Sequence, residues 1–243
     1  MKITYSWMKE FTPLAATPAE LARQLTLAGL EVESLEPVAP PFSGVVVGEV
    51  LECARHPEAD KLSVCQVTLD GSDRLQIICG ASNVRKGLKV AVATVGAVLP
   101  GNVQIKRAKL RGLESNGMLC SARELGLGEE HEGIMELPSS LAVGRDVRAA
   151  LDLDDTVLEV NATPNRGDCM SVFGIARDYA AAQHRRYLKA SAAPVPASHD
   201  AVFPVRLEWA AGCPVFASRV IRETLVEPHS TQQTPLGQRR ASR

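Results

Sequence analysis

The chain has 243 residues, enough for one large domain or two small ones. Apolar side chains make up 45% of it and aromatic side chains only 4%, so we expect a core built mainly from Val, Leu, Ile and Ala. The formal net charge of −1 excludes a protein that binds polyanions through its overall charge, so a nucleic acid would have to meet a local basic patch.

Six cysteines are scattered along the chain, at positions 53, 65, 79, 120, 169 and 213. They form no CxxC pair, and no His stands at zinc-ligand spacing, so we expect free thiols, no metal site and a reducing, cytoplasmic location. The sequence also contains no run of about 18 apolar residues, so we expect no segment that spans a membrane.

The first predicted elements are a short strand over residues 2–5 and a helix that starts near Thr17. Thr17 can cap this helix, Pro18 suits its first position, and Glu20 completes a capping box. Residues 30–38 follow as an extended segment, and the prolines after it indicate a linker.

From Gly44 the pattern changes to short strands separated by turn signals. Five strands are predicted, over Val45–Leu51, Leu62–Leu69, Leu75–Cys79, Lys89–Val95 and Val103–Arg111. Five closely spaced strands suit a small closed barrel, which leaves no exposed sheet edge. Ser121 and Glu124 form a second capping box, which predicts a short helix after the barrel.

The C-terminal part begins with a strand predicted over residues 153–160. A turn follows, in which Asp168 suits the N-cap of a helix over residues 169–187. Residues 191–198 are typical of a linker. Two further strands are predicted, over Val202–Trp209 and Val215–Ile221. Residues 223–243 are rich in Gln, Thr, Ser and Arg and lack the apolar content for a core, so we expect them to be disordered.

A basic run at the end of the fifth barrel strand is the main functional signal. Lys106, Arg107, Lys109 and Arg111 fall within six residues. In a continuous strand, Ile105, Arg107, Lys109 and Arg111 share one face, because side chains alternate. Neighbouring cations repel one another, and a bound polyanion would relieve that repulsion. The alternative interpretation is a solvated edge strand whose charges prevent aggregation.

Three motifs accompany the basic run: residues 56–62 (HPEADKL), 79–84 (CGASNV) and 109–121 (KLRGLESNGMLCS). In this order they resemble the tRNA-binding OB-fold domain found in several aminoacyl-tRNA synthetases and in free-standing tRNA-binding proteins. The resemblance covers residues 44–138. This stretch contains 11 Lys and Arg residues and 12 acidic residues, which favours modest, shape-dependent binding over a purely electrostatic attraction.

The flanking segments resemble one family, the beta subunit of bacterial phenylalanyl-tRNA synthetases. They are residues 1–11, 17–33 and 161–177, the last reading NATPNRGDCMSVFGIAR. The resemblance implies an α+β fold in which a five-stranded OB-fold barrel is inserted into a small α/β domain, followed by the start of a truncated domain. The implied divisions are residues 1–39 with 152–190 as the discontinuous α/β domain, 40–151 as the OB-fold domain, 191–222 as linker and start of an editing-region domain, and 223–243 as an unmatched tail.

The same resemblance implies the N-terminal part of a phenylalanine–tRNA ligase beta subunit, serving tRNA binding and subunit architecture in protein synthesis. The implied partners are tRNA and the alpha subunit, in a heterotetramer of two alpha and two beta subunits. We expect no cofactor in this segment, although the full enzyme uses ATP and Mg²⁺ by resemblance. We also expect no catalysis by this segment alone, since it lacks a P-loop, a nucleophile elbow and a His-rich metal motif.

The candidate tRNA contacts combine cations with polar turn residues. They are Arg85, Lys86, Lys106, Arg107, Lys109, Arg111, Ser115 and Asn116. For Ser115, Asn116 and also Asn83, the alternative is a role in forming turns. Two other functions stay open: a free-standing tRNA-binding protein, and a purely structural assembly module, which the near-neutral charge of residues 44–138 favours.

Overall fold

The computed structural model of the chain describes residues 1–129, 133–188 and 193–222. Within these ranges the strands are β1 (Lys2–Thr4), β2 (Glu31–Pro37), β3 (Ser43–His56), β4 (Ala59–Thr68), β5 (Leu75–Cys79), β6 (Lys89–Leu99), β7 (Val103–Gln104), β8 (Ala108–Leu110), β9 (Leu113–Ser115), β10 (Met118–Leu119), β11 (Glu136–Leu137) and β12 (Thr156–Asn161). The helices are α1 (Tyr5–Lys9), α2 (Pro18–Leu27), α3 (Val147–Ala150) and α4 (Val172–Ala182). Antiparallel sheets therefore dominate, with few helices.

The predicted capping box at the start of α2 is confirmed. The Thr17 hydroxyl accepts a hydrogen bond from the backbone N–H of Glu20, and the Glu20 carboxylate accepts one from the backbone N–H of Thr17 at 2.8 Å. Leu21 and Leu25, four residues apart, are fully buried on one face of the helix. Through this face, α2 packs against the strands β1 and β12.

A three-stranded antiparallel sheet has the order β1-β12-β2. Its central strand, β12, pairs with two strands that lie more than 110 residues earlier in the chain. Ile3 and Leu158 from this sheet share one core with Leu21, Leu25 and Ile175 from the helices. This core therefore packs the N-terminal residues 3–30 against residues 158–179.

A seven-stranded antiparallel sheet runs in the order β10-β6-β3-β4-β5, with β7 and β11 also paired to β6. The 14-residue strand β3 pairs with β6 through its first half and with β4 through its second half. Gly48 lies where the pairing changes, and a Cβ there would approach Val92 Cγ2 to 2.5 Å. The close approach of the Val92 and Val67 side chains therefore leaves no room for a side chain at this position.

The prediction of a closed five-stranded barrel is wrong. The sheet has seven strands within the described ranges, and no strand ladder there joins β5 to β10, the two ends of its main path. The ends approach each other through single hydrogen bonds instead: Asn116 N–H donates to the Gln76 carbonyl at 2.9 Å, and Ile78 N–H donates to Ser115 Oγ at 3.1 Å. The Ser115 hydroxyl thus accepts the hydrogen bond of a backbone N–H that a strand partner would otherwise accept.

The fifth predicted strand, residues 103–111, is also broken. Its first two residues form β7, and the Ile105 side chain turns inward and is buried. The chain then forms the separate β8–β9 hairpin, whose turn consists of Arg111 and Gly112. Both turn residues have positive φ, +46° and +86°, as a two-residue type I′ hairpin turn requires. Side-chain alternation is therefore lost over this stretch.

Two predicted helix starts differ in the structure. The Ser121–Glu124 capping box forms, but the chain turns instead of continuing as a helix, because Gly126 adopts a φ of +66°. The later helix, α4, begins at Val172 and is capped by Ser171, whose hydroxyl accepts from Gly174 N–H at 3.0 Å. Asp168 is not the cap, since arginine side chains hold its carboxylate.

Residues 193–222 lie in a second compact unit and form neither of the two predicted strands. A strand needs a partner for its backbone groups, and this part of the unit shows no ladder. Val202, Trp209 and Val215 are largely exposed there. The predicted tail, residues 223–243, lies outside the described ranges, as does part of the predicted linker.

Among the described helices, none has the length and apolar content needed to cross a membrane.

Candidate nucleic-acid interface

Residues 106–111, which we call the basic hairpin, form an exposed cationic surface. Lys106 and Arg107 lie in the loop between β7 and β8, Lys109 lies in β8, and Arg111 lies in the turn. All four side chains are exposed, and none forms an ion pair within the described ranges. Uncompensated charge of this kind is available to an anionic partner.

The prediction that Arg107, Lys109 and Arg111 share one strand face is wrong. Arg107 precedes the strand, and Arg111 sits at the hairpin turn with left-handed backbone geometry. Lys109 stands opposite Glu114 in the strand register. The cations are therefore spread over a loop, a strand and a turn.

The tip of the β3–β4 hairpin lies beside the turn of the basic hairpin. Glu58 Oε2 is 3.8 Å from where a Cβ on Gly112 would be. His56, which is 3% exposed, accepts a hydrogen bond from Glu58 N–H at 3.1 Å and so helps to fix this tip. The exposed Arg55 and Asp60 form an ion pair at 3.0 Å across it. The first and third sequence motifs thus meet at one place.

Ser115 and Asn116 anchor the basic hairpin. Ser115 is 2% exposed, and its hydroxyl accepts from Ile78 N–H and donates to the Gly117 carbonyl at 2.9 Å. The backbone N–H of Asn116 donates to Gln76 of β5. The Ser115 hydroxyl is therefore occupied by two internal hydrogen bonds at the end of β9.

The second motif is also held by internal contacts. Asn83 donates to the Ile134 carbonyl and accepts from the Ile134 N–H, both at 2.9 Å. Arg85 forms a bidentate ion pair with Glu136, in which its two terminal nitrogens donate to Oε1 at 2.7 Å and to Oε2 at 2.8 Å. These hydrogen bonds lower the pKa of the Glu136 carboxyl. Lys86 stays exposed in the following turn. Of the two cations predicted here, Arg85 is therefore already compensated.

A cleft of about 520 Å³, which we call the β5 cleft, opens between the end of β5 and the basic hairpin. Lys106 and Glu124 are the charged residues that line it within the described part of the chain. Glu124 Oε2 accepts from the backbone N–H and the hydroxyl of Ser121, at 2.6 and 2.9 Å. The sequence identified the capping box but gave no sign of this cleft, since its walls come from distant segments.

The most specific sequence motif, residues 161–177, builds an ion-pair network. Arg166 pairs with Asp168 at 3.1 Å and with Asp178 at 3.0 Å, and Arg177 pairs with Asp168 at 3.0 Å. Hydrogen bonding to Arg166 lowers the pKa of Asp168 to about 2. Asp168, Cys169 and Asp178 offer three ligand atoms within 4.8 Å of one another. Arg166 and Arg177 together supply two positive charges to these two carboxylates, so the network leaves little negative charge for a metal cation.

Comparison with known proteins identifies related chains. The family described as "Putative tRNA binding domain" matches residues 45–146. The phenylalanine–tRNA ligase beta subunit of Photorhabdus laumondii is 50% identical over 232 residues, which cover 96% of this chain and 29% of that subunit. The Pseudomonas fluorescens subunit of the same name is 51% identical over 222 residues, 91% of this chain and 28% of that subunit.

The chain thus spans less than a third of the length of these curated relatives. Among solved structures, the MetRS related protein from Pyrococcus horikoshii is 24% identical over 42% of this chain and 85% of that chain. The TM-score of this match is 0.31.

Proposed function

We infer that this homologue of phenylalanine–tRNA ligase beta subunits forms the N-terminal, tRNA-binding part of such a subunit. The observation that carries the inference is the basic hairpin: four exposed cations without ion-pair partners in the described chain, inside the residues that match a tRNA-binding domain. Phosphate contacts of this type hold a folded RNA by shape and charge without reading its sequence.

The cations have different roles in this proposal. Lys106, Arg107, Lys109 and Arg111 contact tRNA phosphates, and Lys86 contributes from the neighbouring turn. Arg85 contributes less, because Glu136 holds its guanidinium. Asn116 lies at the base of the hairpin, where its half-buried side chain can reach a ribose hydroxyl.

The proposed architecture follows the family. Residues 40–151 form an OB-fold domain, in which the loops at one end of the sheet meet the nucleic acid. Residues 1–39 and 152–190 form the discontinuous α/β domain, a division supported by the β1-β12-β2 sheet. Residues 191–222 begin an editing-region domain, and residues 223–243 are an unmatched tail.

The remaining proposals concern the whole protein. The chain assembles with an alpha subunit into a heterotetramer of two alpha and two beta subunits that ligates phenylalanine to tRNA with ATP and Mg²⁺. The segment itself performs no catalysis and binds no cofactor. We place the enzyme in the cytoplasm, a location supported by the free thiols of all six cysteines.

A second candidate function is that of an assembly module with little direct tRNA contact. The nearly balanced charge of residues 44–138 favours it, because a neutral domain attracts RNA weakly at long range. In that case the isolated chain would bind the alpha subunit more tightly than it binds tRNA.

A charge-removal experiment separates the two candidates. Arg107, Lys109 and Arg111 are replaced together by Gln, and affinity for unfractionated tRNA is measured by filter binding at fixed salt. We expect affinity to fall by about tenfold or more, because three phosphate contacts are lost.

The matched control replaces Arg23, Arg206 and Arg222 by Gln, which removes the same net charge from exposed positions outside the basic hairpin. Its affinity should stay within about twofold of the parent chain. Equal losses in the two triple variants, or no loss in either with the fold intact, would remove the basic hairpin from the tRNA site.

A further inference from the structure

We propose that the β5 cleft holds a single unstacked nucleobase that carries an exocyclic amino group, with an adjacent phosphate on Lys106. This inference rests on the proposed function, because it adds a base-selective pocket to a surface that otherwise contacts phosphates. Proteins that recognise RNA sequence do so mostly at unpaired bases, which they hold out of the stack.

The cleft is large enough to take one base together with its sugar. Its volume of about 520 Å³ lies within the roughly 300–1,000 Å³ typical of small-ligand pockets. Ile78, Ile105, Leu110, Met118, Leu119 and Ile134 supply apolar walls. The faces of a flat base ring can pack against these side chains, while its polar edge can reach the polar groups of the same lining.

Glu124 gives the cleft its chemical preference. Its Oε2 is engaged by Ser121, whereas Oε1 makes no hydrogen bond to any residue in the described ranges. An ionised carboxylate accepts hydrogen bonds and donates none, so it matches the amino groups of adenine, cytosine and guanine. Uracil presents one N–H between two carbonyl oxygens, which a carboxylate repels.

Lys106 supplies the second half of the recognition. It is exposed, lines the same cleft and forms no ion pair with Glu124 or with another acid of the described chain. One acceptor carboxylate and one cation in a single cleft of mixed polar and apolar lining complement a nucleotide, whose base donates hydrogen bonds and whose phosphate is anionic. Neither charge compensates the other, so both remain available to a ligand.

Two glycines that line the cleft allow its walls to pack closely against their neighbours. Gly117 has a φ of +136°, and a Cβ there would approach the Ala93 carbonyl oxygen to 2.6 Å. A Cβ on Gly133 would lie 2.6 Å from Asn83 Oδ1, the atom that anchors this wall. Larger residues at these positions would displace the walls on which the base packs.

The test uses the 243-residue chain with the trinucleotides A3, C3 and U3 as probes. Isoleucine-methyl NMR spectra report Ile78, Ile105 and Ile134, and titration gives the dissociation constants. We expect A3 and C3 to shift these methyl signals and to bind about fivefold or more tighter than U3, on the order of one good hydrogen bond to a charged group. Glu124→Gln should bring the A3-to-U3 ratio close to one.

The control for that variant is Glu20→Gln, in the capping box of α2 and outside the cleft. Glutamine serves at this position of a capping box, so both variants should keep their local fold. Glu20→Gln should leave the A3-to-U3 ratio unchanged, and Lys106→Gln should weaken all three trinucleotides to a similar extent.

Binding of tRNA by the same chain is measured in parallel, so that the two proposals fail separately. If tRNA binds but the methyl signals do not shift, or if U3 binds as tightly as A3, the cleft proposal is wrong and the tRNA site stands. An equal loss of preference in Glu20→Gln also overturns the cleft proposal. If neither tRNA nor trinucleotides bind, both proposals are wrong.

Discussion

Ser115 holds the basic hairpin against β5 by accepting from Ile78 N–H and donating to Gly117. Ser115→Ala leaves a buried backbone N–H without a partner, so we expect the free energy of unfolding to fall by about 1–3 kcal/mol. Urea denaturation measures the change. The control is Ser140→Ala, at an exposed turn position, which should change stability by less than about 0.5 kcal/mol. Equal effects of the two variants would contradict the anchoring role.

Asp168 gives the fold a pH dependence at acid pH. Its pKa in the folded chain is about 2, below the ordinary 3.8, mainly because Arg166 donates hydrogen bonds to the carboxylate. A lowered folded-state pKa stabilises the fold above pH 4, and this contribution is lost as the pH falls from about 4 to about 2.

Asp168→Asn should therefore be less stable than the parent chain at pH 6, and the difference should shrink towards zero by pH 2. Chemical denaturation of both proteins between pH 6 and pH 2 measures this difference. A difference that stays constant over the whole range would mean that the Asp168 charge does not stabilise the network.

At the scale of elements, the β8–β9 turn places Arg111, a proposed phosphate contact, in a strained backbone conformation. Arg111 has a φ of +46°, which a residue with a side chain adopts at a cost of about 1–2 kcal/mol, whereas glycine adopts it readily. Arg111→Gly should therefore raise the free energy of unfolding by up to about 1 kcal/mol and weaken tRNA binding, since it also removes a cation.

Denaturant titration and filter binding on the same preparation measure the two effects. Arg107→Gly is the comparison, because Arg107 has no positive φ. That variant should weaken tRNA binding without any gain in stability. A loss of stability in Arg111→Gly would show that the turn is not strained.

The elements that the sequence predicts well are those specified by local chemistry. The α2 capping box, β5 and the antiparallel strands around residues 45–95 follow from caps, alternation and turn residues. The failures arise where tertiary contacts override the local pattern. Ile105 turns into the core and interrupts the expected fifth strand, and arginines occupy the Asp168 carboxylate that would otherwise cap α4.

At the scale of the whole molecule, long-range pairing determines what local patterns cannot. β12 lies between β1 and β2 although more than 110 residues separate it from β2, and only the family resemblance of the flanks indicated this. The β5 cleft likewise draws its walls from residues between 78 and 134. Neither spacing nor periodicity encodes such contacts, so the cations of the basic hairpin were predictable and the cleft beside them was not.

If a local basic patch of this nearly neutral chain binds tRNA, binding must depend on salt concentration, and measuring that dependence is the most direct test. The logarithm of the tRNA association constant is measured against the logarithm of salt concentration for the parent chain and for the variant with Arg107, Lys109 and Arg111 replaced by Gln. We predict a clear negative slope for the parent and a slope shallower by about 2–3 for the variant, since each phosphate contact contributes about 0.7–0.9. Parallel slopes, or binding by the parent that does not depend on salt, would contradict the account.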